Sequence, residues 1–285
     1  MFFGLTNSPA TFQTMMNDLF CDLISRGVVI VYMDDILIFT DSIAEHCAVS
    51  HEVLQILNDN HLYLKAEKCA FECTEIDYLG LIIRQGQVSM DPMKVKGVQD
   101  WPRPSSKHDL QQFLGFINYY RRFIQGFAHI AHPLHRLTGN EQWHWGAVEE
   151  EAFQNLKNAI TSAPVLTMPT DDLPFRVEAD SSDYATGAVL SQEQRDGKWH
   201  PVAFISRSLN DVERNYNIFD KEMLAIMRSL QEWRHYLMGA RHTFEILTDH
   251  KNLEYFCTAK NLNCRQACWA LQLADYNFIL THKPG

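Results

Sequence analysis

Two adjacent acidic residues stand where carboxylates could hold a metal ion. Asp34 and Asp35 lie between two apolar, β-rich runs within residues 28–39. This pattern predicts a β-hairpin in a buried sheet, with both acids at or beside the turn. Adjacent carboxylates at the edge of a buried sheet repel each other, and a bound divalent cation such as Mg²⁺ would relieve that repulsion. Since Asp is also a common turn residue, a plain polar turn is the alternative.

A second set of acids is spread over the last third of the chain. Asp180 ends a strand-like run at 175–180, and Asp249 ends another at 242–249. Glu222 lies beside the apolar stripe of a helix predicted over 218–237, where a carboxylate is costly unless it is paired or bound to a metal. A glutamate that reaches out to solvent is the alternative. The acids therefore come in the order strand, helix, strand.

The first 90 residues supply the elements around the paired aspartates. Asn7 or Ser8 is the expected cap of a helix that starts at Pro9. A second amphipathic helix is predicted over 46–64, followed by a short strand over 78–83. The apolar face of the first helix consists of Phe12, Met15, Met16, Leu19, Phe20 and Leu23.

Charge is distributed unevenly along the 285 residues. The chain has 25 basic and 35 acidic residues, a net charge of −10, which argues against a generic nucleic-acid binder that relies on overall positive charge. Residues 91–140 differ, with 7 basic and 3 acidic residues and many aromatic ones. Basic and aromatic side chains together fit phosphate neutralisation and base stacking. A solvated helical face is the alternative.

One helix of this basic segment is predicted from its apolar stripe, and two adjacent arginines interrupt this helix. Arg121 and Arg122 are candidate phosphate ligands; the alternative is that they pair with nearby acids. The stripe consists of Leu110, Phe113, Leu114, Ile117, Tyr120 and Ile124.

Nothing in the sequence predicts export or a membrane span. No apolar run reaches about 18 residues, and the first residues lack the basic and apolar regions of a signal peptide. The seven cysteines fit reduced thiols of an intracellular protein. Two pairs, 69/73 and 264/268, have a four-residue spacing. Because no matching Cys/His pair lies nearby in sequence, a zinc site is only the alternative.

Four motifs follow one another in the first segment: F-G-L-x-N-x-P-A-T-F-Q from Phe3, Y-M-D-D-I-L from Tyr32, L-x-L-x-x-x-K-C-x-F from Leu62, and Y-L-G from Tyr78. In this order they resemble the reverse transcriptase palm of gypsy-type LTR-retrotransposon Pol polyproteins. The resemblance implies that Asp34 and Asp35 bind catalytic Mg²⁺, or Mn²⁺. It also implies a nucleotide- and primer-binding set of Phe3, Gly4, Gln13, Tyr32, Met33, Leu79 and Gly80.

Two departures from the family pattern affect the expected polymerase activity. The family's F-G-L loop usually follows a proline, and Phe2 stands there instead. The family's first metal-binding Asp lies on a strand upstream of this loop, and the chain begins too late to contain it. Since two-metal phosphoryl transfer needs carboxylates for both ions, we expect truncation to incapacitate polymerisation.

The middle and last segments carry further motifs. F-L-G-F-x-N-Y-Y-R-R-F-I at 113–124 and A-x-P-L-x-x-L at 131–137 resemble the thumb of the same family, which implies that Arg121 and Arg122 grip the duplex backbone. D-S-S-x-x-x-x-G-A-V-L-x-Q starts at Asp180, where the family usually has D-A-S. It is followed by E-x-N-Y-x-x-x-x-x-E-x-L-A (213–225), W-R-H-Y-L-x-G (233–239), T-D-H (248–250) and R-x-x-x-W-x-x-x-L-x-x-Y (265–276).

These last motifs resemble the RNase H fold. The resemblance implies that Asp180, Glu222 and Asp249 hold Mg²⁺ ions and catalyse cleavage of the RNA strand of RNA–DNA hybrids, with specificity from 2′-hydroxyl contacts. The family's fourth acid lies on a helix beyond the final K-P-G, so we expect an RNase H domain without its last helix.

The sequence therefore predicts a multidomain chain of the α+β and α/β classes. We expect a truncated palm over 1–90, a helical thumb over 91–140, a connecting segment over 141–170, and an RNase H-like domain with a mixed β-sheet and flanking helices over 171–285. Expected partners are RNA–DNA hybrid, primer–template, dNTPs and the remainder of a Pol polyprotein, with no membrane. The expected location is intracellular, in a cytoplasmic virus-like particle or the nucleus. A catalytically inactive transposon relic with residual nucleic-acid binding is the alternative.

Overall fold

A computed structural model describes residues 6–139, 142–251, 253, 256 and 262–283. The chain forms two compact units, Met1–Gln85 and Gly86–Gly285. Both units combine helices with β-strands, which confirms the predicted fold class.

The helices are α1 (Ser8–Leu19), α2 (Cys21–Ser25), α3 (Ile43–Asp59), α4 (Pro92–Gln99), α5 (Lys107–Tyr119), α6 (Phe127–Thr138), α7 (Ala147–Thr161), α8 (Asp211–Arg214), α9 (Ile218–Glu232), α10 (Arg234–Leu237) and α11 (Cys264–Leu273), with 3₁₀ turns at Ala66–Lys68 and Arg121–Phe123. The strands are β1 (Val29–Tyr32), β2 (Asp35–Ile38), β3 (Glu75–Tyr78), β4 (Leu81–Arg84), β5 (Gln87–Met90), β6 (Leu166–Thr167), β7 (Phe175–Ser181), β8 (Ala185–Glu193), β9 (Trp199–Ser208), β10 (Phe244–Thr248) and β11 (Phe278–His282). None of the described helices is long and apolar enough to cross a membrane.

The first unit is built around the predicted hairpin. β1 and β2 pair antiparallel, and Tyr32 lies opposite Asp35, so the turn consists of Met33 and Asp34. The predicted burial of this sheet holds for one face: Ile30 and Tyr32, on the other face, are 48% and 57% exposed. Among the described residues, the helices cover the first face, and the core there consists of Met16, Phe20, Leu23, Val29, Val31, Val49, Val53 and Leu57.

Three other predictions for this unit need correction. Met15 is exposed, because the neighbouring Met16 takes the inward position on α1. The second helix runs earlier than predicted, since Ser42 caps α3 by accepting a hydrogen bond from the Glu45 N–H (3.3 Å). The single strand over 78–83 is in fact the hairpin β3–β4. Its two-residue turn, Leu79–Gly80, has positive φ at both positions (53° and 75°), as tight hairpins require.

The helical part of the second unit follows the predicted stripe. All six stripe residues are buried, and Ser106 caps α5 by accepting from the Asp109 N–H (3.2 Å). The rings of Phe113 and Phe153 lie 4.6 Å apart, which packs α5 against α7. The expectation that Arg121 and Arg122 interrupt this helix is wrong: the helix ends at Tyr119, and both arginines lie in the 3₁₀ turn that follows.

The rest of the second unit contains a five-stranded mixed sheet of order β11-β10-β7-β8-β9. β7 is parallel to β10 and antiparallel to β8, and the turn before β9 contains Gly197 with φ 71°. α9 packs on β7 and β8 through Met223, Ile226 and Leu230. The predicted helix over 218–237 breaks at Trp233, whose backbone leaves the helical region.

Candidate functional site

Three carboxylates meet at one end of the five-stranded sheet. Asp180 is near the end of β7, Asp249 directly follows β10, and Glu222 lies early in α9. One carboxylate oxygen from each lies within 4.8 Å of the other two. The parallel register of β7 and β10 explains why Asp180 and Asp249 lie close together. Leu247 lies opposite Glu178, so two residues further along Asp249 lies opposite Asp180. α9 packs on β7 and brings the third acid to the same edge.

Glu222 is the buried member of this carboxylate cluster. Its side chain is 1% exposed, so the alternative of a glutamate reaching out to solvent is wrong. Its Oε1 accepts two hydrogen bonds from Ser181, one from the backbone N–H (3.1 Å) and one from the hydroxyl (2.7 Å). Its Oε2 is buried and has no hydrogen-bond partner among the described residues. A buried carboxylate oxygen without a partner is costly unless a cation or a proton satisfies it.

The pKa values of two members of the cluster are raised, chiefly by burial. Burial raises the pKa of Glu222 to about 7, and the charges of Asp249 and Asp180 add to this against the opposing hydrogen bonds from Ser181. Burial, followed by the charge of Asp249, also raises the pKa of Asp180. Both shifts mean that the ionised cluster needs a compensating positive charge.

The predicted palm residues gather around a second feature, in the first unit. Tyr32, Met33, Asp34, Asp35 and Leu79 line one open groove of about 710 Å³. Met33 opens the hairpin turn with φ 53°, and both aspartates are exposed at the tip. Gly80 completes the β3–β4 turn beside this groove. The structure therefore brings most of the predicted nucleotide- and primer-binding set together.

Gln13, Phe3 and Gly4 are the remaining residues of the predicted nucleotide- and primer-binding set. The Gln13 amide links α1 to the hairpin: its Oε1 accepts from the Met33 N–H (2.6 Å), and its Nε2 donates to the Val31 carbonyl (3.0 Å). Both ends of the amide are thus engaged in holding the hairpin tip. Phe3 and Gly4 lie outside the described residues.

Arg121 and Arg122 are both exposed on the surface of the second unit. Neither forms an ion pair with an acid in the part of the chain that the structure describes, so the alternative of local pairing is not observed. The Arg122 guanidinium lies 5.9 Å from the Phe123 ring centroid. Exposed guanidinium groups without a partner acid are suited to phosphate oxygens.

Sequence reasoning missed two sets of contacts near the cluster. Ser181 was a motif residue without a role, although its place directly after Asp180 was a signal that it lies beside the other acids. The buried Asp220 pairs with Arg265 and accepts a hydrogen bond from Gln266 Nε2 (2.8 Å), so α11 is tied to the helix that carries Glu222. Long-range pairs of this kind leave no local pattern.

The cysteines do not form a metal site where the structure describes them. Six are free thiols, and Cys257 lies outside the described residues. Within the described chain, the three carboxylates are the group of His, Cys, Asp and Glu residues whose ligand atoms converge. The zinc alternative therefore finds no support there.

Two protein families match separate parts of the chain. Residues 170–276 match the RNase H-like domain found in reverse transcriptase. Residues 1–83 match the reverse transcriptase (RNA-dependent DNA polymerase) family. The carboxylate cluster lies within the first of these matches, and the hairpin aspartates lie within the second.

Curated relatives align with nearly the whole chain. The Transposon Tf2-3 polyprotein of Schizosaccharomyces pombe is 37% identical over 99% of the chain, and the Tf2-7 polyprotein is 36% identical over the same share. The chain spans 21% of the length of each polyprotein.

Solved structures of the foamy viral protease-reverse transcriptase share the fold. The complex with double-stranded DNA superposes with a TM-score of 0.79 over 99% of this chain and 60% of the viral chain. The complex with an RNA/DNA hybrid superposes with a TM-score of 0.76 over 99% of this chain and 39% of the viral chain. Both are 21% identical in sequence. The chain therefore carries a reverse transcriptase segment followed by an RNase H-like domain of the kind found in reverse transcriptase, and over nearly its whole length it is similar to retrotransposon polyproteins.

Proposed function

We propose that this chain is a metal-dependent endonuclease that cleaves the RNA strand of RNA–DNA hybrids. The observation that carries the proposal is the convergence of Asp180, Glu222 and Asp249 within 4.8 Å, with one oxygen of Glu222 buried and unpartnered. Burial, with the charge of Asp249 added to it, raises the pKa of Asp180 and of Glu222, and shifted carboxylates of this kind are typical of functional sites.

The residues fit a hard divalent cation, and Mg²⁺ or Mn²⁺ is the ion that we assign. All three ligands are carboxylates, the donors that these ions prefer. The unpartnered Oε2 of Glu222 is the oxygen that a cation would satisfy. When bound, the metal supplies a lowered pKa for the attacking water and charge stabilisation for the scissile phosphate.

The residues of the chain itself provide and orient the three carboxylates. Glu222, buried at the base, is held in one orientation by Ser181. Asp180 and Asp249 are exposed, so they face the solvent side from which a nucleic acid enters. This arrangement presents a fixed negative site on the edge of a rigid sheet, as preorganised catalysis requires.

Duplex binding is the second part of the proposal. Arg121 and Arg122 belong to the same compact unit as the carboxylates and present exposed guanidinium groups. The foamy viral structures with this fold are complexes with double-stranded DNA and with an RNA/DNA hybrid. We assign the two arginines to phosphate contacts along such a duplex.

For the first unit we propose a role within the longer polyprotein. Asp34 and Asp35 would hold Mg²⁺ for DNA synthesis on a primed template with dNTPs, beside the groove lined by Tyr32, Met33 and Leu79. No third acid joins them in the described residues, so the chain alone should not extend a primer. The six free thiols fit action inside the cell, in a cytoplasmic particle or the nucleus.

A cleavage assay tests the proposal. The purified chain is incubated with a hybrid labelled on its RNA strand, in Mg²⁺, in Mn²⁺ and in EDTA. Metal-dependent cleavage that disappears in Asp180→Asn supports the nuclease. Absence of cleavage at high protein concentration, with duplex binding retained, supports the non-catalytic relic instead.

A further inference from the structure

Ser181 makes two hydrogen bonds to one oxygen of Glu222. The backbone N–H and the hydroxyl both donate to Oε1, at 3.1 and 2.7 Å. The other oxygen, Oε2, is buried and has no partner in the described part of the chain. The serine therefore acts on one side of the carboxylate and leaves the other side open.

This arrangement restricts a side chain that is otherwise adaptable. A glutamate has three rotatable bonds, and its terminal torsion is broad. Anchoring Oε1 to the strand that also carries Asp180 fixes where Oε2 lies relative to the other carboxylates. We propose that the Ser181 hydroxyl is a positioning residue, which holds Glu222 so that Oε2 is presented to a divalent cation together with Asp180 and Asp249. The inference rests on the metal centre described under Proposed function.

The hydroxyl can be removed without releasing the segment around it. Lys221, one residue before Glu222, pairs with Asp183 at 3.1 Å. The Ser182 hydroxyl donates to the Ala185 carbonyl and accepts from the Ala185 N–H, both at 3.1 Å. The backbone pairing of Ser181 with Thr186 needs no side chain. Loss of the hydroxyl should therefore act on Glu222 rather than on the loop.

Three variants separate the hydrogen bond from side-chain volume. Ser181→Ala removes the hydroxyl, and Ser181→Thr keeps it in a residue that suits a strand. Ser181→Cys keeps the size but offers only a weak donor. Ser191→Ala is the matched control, because Ser191 is a buried serine on the adjacent strand β8, opposite Arg176 and away from the carboxylates.

The test is a titration of the full chain with Mn²⁺ in the absence of nucleic acid. Electron paramagnetic resonance measures the free Mn²⁺ and so gives the Kd. We expect Ser181→Ala and Ser181→Cys to raise the Kd about 10-fold. Ser181→Thr and Ser191→Ala should stay within about twofold of the wild type. Unfolding curves in EDTA check that each variant is folded.

Two different results would overturn the inference. If Ser181→Ala and Ser181→Cys bind Mn²⁺ as tightly as the wild type, or if Ser181→Thr loses as much affinity as Ser181→Ala, the hydroxyl does not position Glu222. In that case the metal centre itself is unaffected. If instead Asp180→Asn leaves Mn²⁺ binding unchanged, the proposed metal centre fails, and the role of Ser181 fails with it.

Discussion

Arg265 on α11 forms an ion pair with Asp220, which lies two residues before Glu222 on α9. The Asp220 side chain is 2% exposed, whereas that of Arg265 is 37% exposed. The guanidinium also lies over the Tyr216 ring, 3.8 Å from its centroid. This pair therefore couples the position of α11 to the helix that carries the buried acid of the cluster.

Arg265→Leu should destabilise the second unit by about 2 kcal/mol, because it leaves Asp220 buried without its cation. The cost is moderated by the hydrogen bond from Gln266 and by the partial exposure of the arginine. Arg241→Leu is the matched control, since Arg241 pairs with Asp172 where both side chains are well exposed; it should cost less than about 0.5 kcal/mol. Urea unfolding measures both, and equal effects would contradict the structural role of the buried pair.

The metal-free protein should lose stability as pH rises through the titration of Glu222. Burial raises its pKa from 4.5 to about 7, so between these values the folded protein holds a proton that the unfolded chain has released. Stability from this group is present below pH 4.5 and is lost as pH approaches 7. In EDTA, the free energy of unfolding of Glu222→Gln should therefore rise relative to that of the wild type as pH increases from 5 to 8. The difference should reach at most about 3 kcal/mol.

The comparison of unfolding free energies across pH checks this prediction, with the exposed Glu151→Gln as control. The control curve should run parallel to that of the wild type. Added Mg²⁺ should restore stability to the wild type above pH 7 but not to Glu222→Gln. If the free energy of unfolding of Glu222→Gln depends on pH in the same way as that of the wild type, the pKa of Glu222 is not raised by folding.

The double substitution Arg121→Ala with Arg122→Ala should weaken binding of an RNA–DNA duplex and flatten its salt dependence. Each lost phosphate contact should reduce the slope of log Kd against log salt by about 1. The control is Arg195→Ala with Lys198→Ala, which removes two exposed cations from the hairpin at the opposite end of the sheet from Asp180. An unchanged slope in the first variant would refute the phosphate role.

Much of the fold can be predicted from local sequence patterns, whereas the candidate site can be predicted only in part. The Met33–Asp34 turn, the buried stripe of α5 and the strand-end positions of Asp180 and Asp249 were readable from residue types and spacing. Residue types alone did not predict the turn at Leu79–Gly80, because Leu is not a typical residue at positive φ; only the resemblance of Y-L-G to the family motif implied a turn there. The Ser181–Glu222 contact joins residues 41 positions apart, so only packing of α9 on β7 reveals it.

Primer extension should be absent with this chain alone. Asp34 and Asp35 are not joined by a third converging acid in the described residues, and alignment of a primer end needs ligands for both ions. A labelled primer on an RNA template, with dNTPs and Mg²⁺, provides the measurement. Extension that is lost in Asp34→Asn would show that the first unit is sufficient for polymerisation.

The most direct test of the central claim is the rate of RNA-strand cleavage in a hybrid labelled on either strand. In Mg²⁺ the wild type should cut the RNA strand and leave the DNA strand intact, and Asp180→Asn, Glu222→Gln and Asp249→Asn should each lose at least about 100-fold in rate. Glu178→Gln, on the same strand as Asp180 but paired with Lys283 at 2.8 Å, should stay within about threefold. Cleavage that persists in the three cluster variants or in EDTA would contradict the account.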